Sequence, residues 1–73
     1  MNYEILKELL TENSIQITYF LSIEENNIKT FELKLKYKNL KLEITESHSI
    51  NTRKLFKRIV KNLDVKEITH VST

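Results

Sequence analysis

The amino-acid sequence predicts an α+β domain: a three-stranded antiparallel meander with two helices packed on one face, in the order α-β-β-β-α, with either a short fourth strand or an ordered arm after the second helix. Three observations predict it. Apolar residues repeat with a helical period at the amino terminus, with a period of two from about position 15 to 44, and with a helical period again from 52 to 63. The polar breaks Glu24-Glu25-Asn26-Asn27 and Lys38-Asn39 cut the alternating stretch into three strands. The strands follow one another almost at once, which makes neighbours antiparallel.

Each element has its own warrant. Asn2 caps a first helix in which Ile5, Leu6, Leu9 and Leu10 make one stripe, and Asn13 stops it by taking the left-handed conformation that ends helices. In the first strand Ile15, Ile17, Tyr19, Leu21 and Ile23 face the core and Gln16, Thr18 and Ser22 face water. Phe20 falls out of phase, as an aromatic shielding an edge or packing on the tail. In the second strand Phe31, Leu33, Leu35 and Tyr37 point inward, and in the third Leu40, Leu42 and Ile44 do so. A two-residue turn at Lys38-Asn39 sets Tyr37 opposite Leu40, Leu35 opposite Leu42 and Leu33 opposite Ile44, all on one face. On the other face the same register opposes Lys34 to Glu43 and Lys36 to Lys41. The second helix starts after Ser49 or Asn51 and buries Leu55, Phe56, Ile59, Val60 and Leu63. The β-branched tail makes either a short fourth strand at about residues 67–71 or an ordered arm.

Composition narrows the function. Residues 1 to 73 make a single small domain with little room for an enclosed cleft. Without Cys there is no disulfide framework, thiol nucleophile or common zinc site, and without Gly there is no glycine-rich phosphate loop. Ser47 and Ser49 flank His48, but sequence neighbours rarely make a hydrolytic triad, and this segment reads as a cap. His48 and His70 alone cannot fill a metal site, and Glu32-Leu33-Lys34, an acid and a base two apart as in metal-dependent nucleases, reads as a solvated strand face. The expectation is a non-enzymatic protein without cofactor or metal. The opening MNYEILKELL has neither a basic leader nor a cleavage site, and no apolar run approaches a membrane span, so a cytoplasmic protein is expected. The bias toward Ile, Leu, Lys, Asn, Thr and Glu suits AT-rich codons and points to an AT-rich bacterium or its phage, acting then in the host cytoplasm.

Charge is unevenly spread. Residues 1 to 27 hold five Glu against one Lys, a net −4; residues 28 to 63 hold ten Lys or Arg against three Glu, a net +7; the last ten net −1. Arg53, Lys54, Lys57, Arg58 and Lys61 fall on the side of the second helix opposite its apolar stripe, while Lys34, Lys36, Lys38 and Lys41 crowd the hairpin turn and outer strand face. These nine are the candidate partner-binding residues. If the second helix packs on the inner face, they form two separate surfaces. They serve either solubility and protection of the sheet edges, or an anionic partner, which would be nucleic-acid phosphates or an acidic protein patch.

Two families share parts of this pattern. The α-β-β-β-α order and Arg53-Lys54-Leu55-Phe56-Lys57 resemble the double-stranded RNA-binding domain and the basic cluster that opens its last helix, which implies phosphate contacts there. The opening MNYEILKELL, the segment Leu42-Glu43-Ile44-Thr45-Glu46-Ser47 and the helix Leu55-Phe56-Lys57-Arg58-Ile59-Val60-Lys61-Asn62 resemble small phage proteins of the anti-CRISPR type. That likeness implies an inhibitor that occludes a surface of a host protein or ribonucleoprotein. The leading expectation is such an inhibitor; the alternative is a nucleic-acid-binding domain using the basic start of the second helix. The small core and β-rich tail add the expectation of a homodimer joined through the tail.

Overall fold

The computed structural model describes residues 1–69 and has the expected order: α1 (Tyr3–Glu12), β1 (Gln16–Glu25), β2 (Ile28–Tyr37), β3 (Leu40–Ser47) and α2 (Thr52–Asn62). The three strands form one antiparallel sheet in the order β1-β2-β3, so β2 is central and the other two are edges. Both helices lie on one face, where Leu6, Leu9 and Leu10 of α1 and Leu55, Phe56 and Ile59 of α2 meet Phe31, Leu33 and Leu35 of β2 in one cluster. The opposite face of the sheet, called outer below, carries no helix among the described residues.

Each helix starts on an asparagine. The Asn2 side chain accepts a hydrogen bond from the Ile5 amide at 3.1 Å, and Asn51 accepts one from the Lys54 amide at 3.0 Å. Both bonds satisfy amides that have no partner in the first turn. The hairpin of β2 and β3 pairs as expected, with Tyr37 opposite Leu40, Leu35 opposite Leu42, Leu33 opposite Ile44, Lys34 opposite Glu43 and Lys36 opposite Lys41.

Strand β1 departs from expectation. Its pairing with β2 steps from Ile17 opposite Leu35 to Tyr19 opposite Lys34, so Thr18 is an extra residue, a β-bulge. The Thr18 hydroxyl donates to the Lys34 carbonyl at 3.2 Å, which anchors the bulge. One inserted residue reverses the phase of everything after it. Tyr19 and Leu21, expected in the core, therefore stand on the outer face at 40% and 44% exposure, beside a half-buried Ile23. Phe20 turns inward instead, its ring centroid 4.3 Å from that of Tyr3 and 5.8 Å from that of Phe31, and Ser22 turns inward with it.

Two other expectations are corrected. Asn13 does not take the left-handed conformation; its φ is −106° and Ser14 supplies the positive φ of 59°. Asn13 is buried and works as a clamp. Its amide donates to the carbonyls of Leu9 and Thr69, both at 2.7 Å, and its oxygen accepts from the Thr69 amide at 2.7 Å. This holds the tail against the end of α1. Of the fourth strand expected at 67–71, residues 67–69 are not strand, and residues 70 and 71 lie outside the described residues.

Candidate functional site

The basic residues of α2 stand where the helical period puts them. Four apolar positions, Leu55, Phe56, Ile59 and Val60, are buried, and Arg53, Lys54, Lys57, Arg58 and Lys61 are all exposed. The helix has no acidic residue in its first turn, where the dipole would favour one, and Arg53 and Lys54 lie there instead. Lys61 sits in the last turn, where the dipole favours a cation. Arg58 reaches back to the sheet and donates from Nη1 to Glu46 Oε2 at 2.8 Å. That hydrogen bond, helped by the Ser47 amide, holds the Glu46 carboxyl below the usual carboxylate range. Lys54, Lys57 and Lys61 make no salt bridge among the described residues.

The hairpin lysines form a second surface. Lys34, Lys36 and Lys41 project from the outer face and Lys38 from the turn, where it takes a φ of 55°. Lys34 lies 3.9 Å from Glu43 and 5.1 Å from the centre of the Tyr19 ring, and Lys38 lies 5.2 Å from the Tyr37 ring centre. Lys36 and Lys41 face each other with like charge, which disfavours the pair unless an anion intervenes. A shallow depression of about 340 Å³ opens between them, lined also by Thr18, Lys34 and Glu43. The sheet separates this surface from the cations of α2, so the nine candidate residues divide into two groups facing opposite ways.

Sequence reasoning missed the apolar part of the outer face. The bulge places Tyr19, Leu21 and Ile23 in a row on β1, with Ile28 of β2 at the hairpin end. A signal for it exists: Phe20 out of phase in an otherwise alternating strand is what a bulge leaves behind.

The other candidates resolve as follows. His48 meets neither neighbouring serine through its ring; Nε2 lies 2.8 Å from Ser22 Oγ across the sheet, while the Ser47 and Ser49 hydroxyls bond each other at 2.9 Å. The imidazole stands edge-on to Phe31 with centroids 5.3 Å apart, its amide donates to the Lys29 carbonyl at 3.0 Å, and its carbonyl accepts from the amino terminus. His48 thereby ties β1, β2 and the chain start to the loop before α2. Glu32, Lys34 and Glu43 share the outer face, and His70 lies outside the described residues. Among the described residues no group of three His, Cys, Asp or Glu is placed to hold a metal ion, and no helix is long and apolar enough to cross a membrane. In comparisons with family models, with curated proteins and with solved structures, the chain matches none.

Proposed function

We propose that the protein is a small non-enzymatic binding protein, a phage or mobile-element inhibitor of the anti-CRISPR kind, which acts in the host cytoplasm by occluding a surface of a host protein or ribonucleoprotein. One observation carries the reading. On α2 the apolar stripe is fully used by the core, while Lys54 and Lys57 on the other side serve neither the core nor, among the described residues, an ion pair. Cations carried on a packed helix have their backbone positions fixed before docking, so only the side-chain rotamers remain to be ordered against an anionic surface. The hairpin lysines supply a second contact region for the same partner or another.

A nucleic-acid partner is the second reading, favoured by Arg53 and Lys54 at the first turn of α2, where a phosphate would meet both the cations and the helix dipole. Two measurements separate the readings. In a host lysate, the wild-type chain is expected to retain one macromolecular target that the double variant Lys54→Glu, Lys57→Glu releases; equal retention by both chains would overturn the role of α2. Titration with duplex RNA and DNA against salt tests the second reading, with a log–log slope of about −0.9 for each phosphate neutralised on B-form DNA. Absence of binding at low salt would eliminate it.

A further inference from the structure

The sheet has two edges, and they differ in chemistry. Along β3 the outer side chains include Lys41 and Glu43, charges that discourage another strand from pairing. Strand β1 reads Gln-Ile-Thr-Tyr-Phe-Leu-Ser-Ile before its first charge at Glu24, and contains no Lys, Arg or Pro. It is ten residues long, with the bulge at Thr18 near one end and the charges of Glu24 and Glu25 at the other. Among the described residues no backbone hydrogen bond from outside the sheet reaches residues 18 to 25.

We propose that β1 is a self-pairing edge: two copies of the chain join β1 to β1 in antiparallel fashion about a two-fold axis at Leu21, making one six-stranded sheet. The backbone phase permits it. Asn26 and Asn27, with φ of 52° and 66°, form a two-residue turn of the type that closes a hairpin on a hydrogen-bonded pair, here Glu25 and Ile28. Counting back by twos, Ile23 and Leu21 also direct their backbone groups toward β2, and Glu24, Ser22 and Phe20 direct theirs to the open edge. With the axis at Leu21, Phe20 and the partner's Ser22 become a hydrogen-bonded pair. Leu21 meets its own copy as a non-hydrogen-bonded pair, the closer kind.

The side chains agree with that register. On the outer face Leu21 packs on the partner's Leu21, and Tyr19 packs on the partner's Ile23, so the row exposed by the bulge becomes the middle of a continuous apolar band. No like charges meet across the new seam. The acidic end of β1 instead comes alongside the bulged beginning of its partner, on the outer face one strand removed from Lys34 and Lys36, at about 9.5 Å between alternate strands. The complementary charges are those that divide the sequence, an acidic first third against a basic middle. Pairing β1 with β3 of another copy would be head-to-tail and leave edges open to further copies, whereas pairing with itself closes.

The chain has no cysteine, so a single introduced one reports its own contacts. Sedimentation of the full chain over rising concentration is expected to approach twice the 8.7 kDa mass, and Leu21→Lys is expected to stay at that single mass with an unchanged circular dichroism spectrum. Under mild oxidation Leu21→Cys is expected to form a covalent dimer, because a non-hydrogen-bonded antiparallel pair brings Cα atoms within disulfide range. Thr45→Cys, on the other edge strand, is expected to remain uncrosslinked. A single-chain mass at every concentration would overturn the proposal, as would a dimer that survives Leu21→Lys or one that crosslinks through position 45 in preference to 21.

Discussion

The bulge at Thr18 decides which side of β1 belongs to the core, and two truncations with two deletions test it. Phe20 is half-buried between Tyr3 and Phe31, so Phe20→Ala loses much of the 3–5 kcal/mol seen for a fully buried phenylalanine, or roughly 2–3 kcal/mol including its ring contacts. Leu21 is 44% exposed, and Leu21→Ala should cost under about 1 kcal/mol. Deleting Thr18 removes one hydroxyl–carbonyl bond, about 1 kcal/mol, and leaves Ile17, Phe20 and Ser22 facing inward, because regular pairing then runs from Ile17 directly to Tyr19. Deleting Ser22 either uses up the bulge and turns Tyr19 and Leu21 inward in place of Phe20, or throws the hairpin end out of phase, and should cost more than deleting Thr18. Urea unfolding followed by circular dichroism, at a dilution where the chain is a single copy, reads all four. With a slope of about 1 kcal/mol per molar urea, Phe20→Ala lowers the midpoint by about 2–3 M and Leu21→Ala by less than about 1 M. Equal loss for the two truncations, or equal damage from the two deletions, would refute the assignment of faces.

Further outcomes follow from the same contacts. Asn13→Ala removes three hydrogen bonds at a buried position and should destabilise the domain by about 2 kcal/mol, measurable by urea unfolding; a loss under about 0.5 kcal/mol would mean the tail is not held there. Glu46 has its folded pKa held below the ordinary value by Arg58, so its contribution is present above the unfolded pKa and fades as pH falls through the lowered one. In Arg58→Ala the stability lost on acidification below about pH 4.5 should therefore be smaller than in wild type, which a thermal-melt series against pH would show. Ser14 sits at φ 59° in a chain without glycine, and Ser14→Gly should relieve left-handed strain and raise stability by a net of about 0.5 kcal/mol in the same urea assay.

Local periodicity made most of the fold legible. The β2–β3 hairpin is recoverable residue by residue because apolar and charged positions alternate from Phe31 to Tyr37 and from Leu40 to Ile44, and a two-residue turn fixes the register. The stripe and cationic side of α2 are likewise written in a 3.6-residue period. Strand β1 was not, because Tyr19, Phe20 and Leu21 are consecutive large apolar residues. Either phase then buries something large, and only the pairing with β2 selects between them. The clamp between Asn13 and Thr69 spans 56 residues and leaves no local trace. Of the candidate site, the positions of the cations were legible; the apolar row beside the hairpin lysines was not, since it exists only through the bulge.

That row bears on how the two charged surfaces can differ in use. Exposed cations on α2 attract any anionic surface, and their pull fades with salt, so alone they give rate and broad affinity more than discrimination. The outer sheet face combines Lys34 and Lys36 with Tyr19, Leu21 and Ile23, and there burial of apolar area can add shape-dependent, salt-resistant binding. If β1 pairs with β1 of a second copy, the two apolar rows pack side by side on the outer face and the pair presents two outward α2 helices on the opposite side of one continuous sheet. An anionic target with two docking patches would then be held by both helices, and its affinity would gain from effective concentration without any new contact. Under that arrangement Leu21→Lys should weaken binding to such a target while leaving every cation of α2 in place, whereas a target read by one helix alone would not register the change.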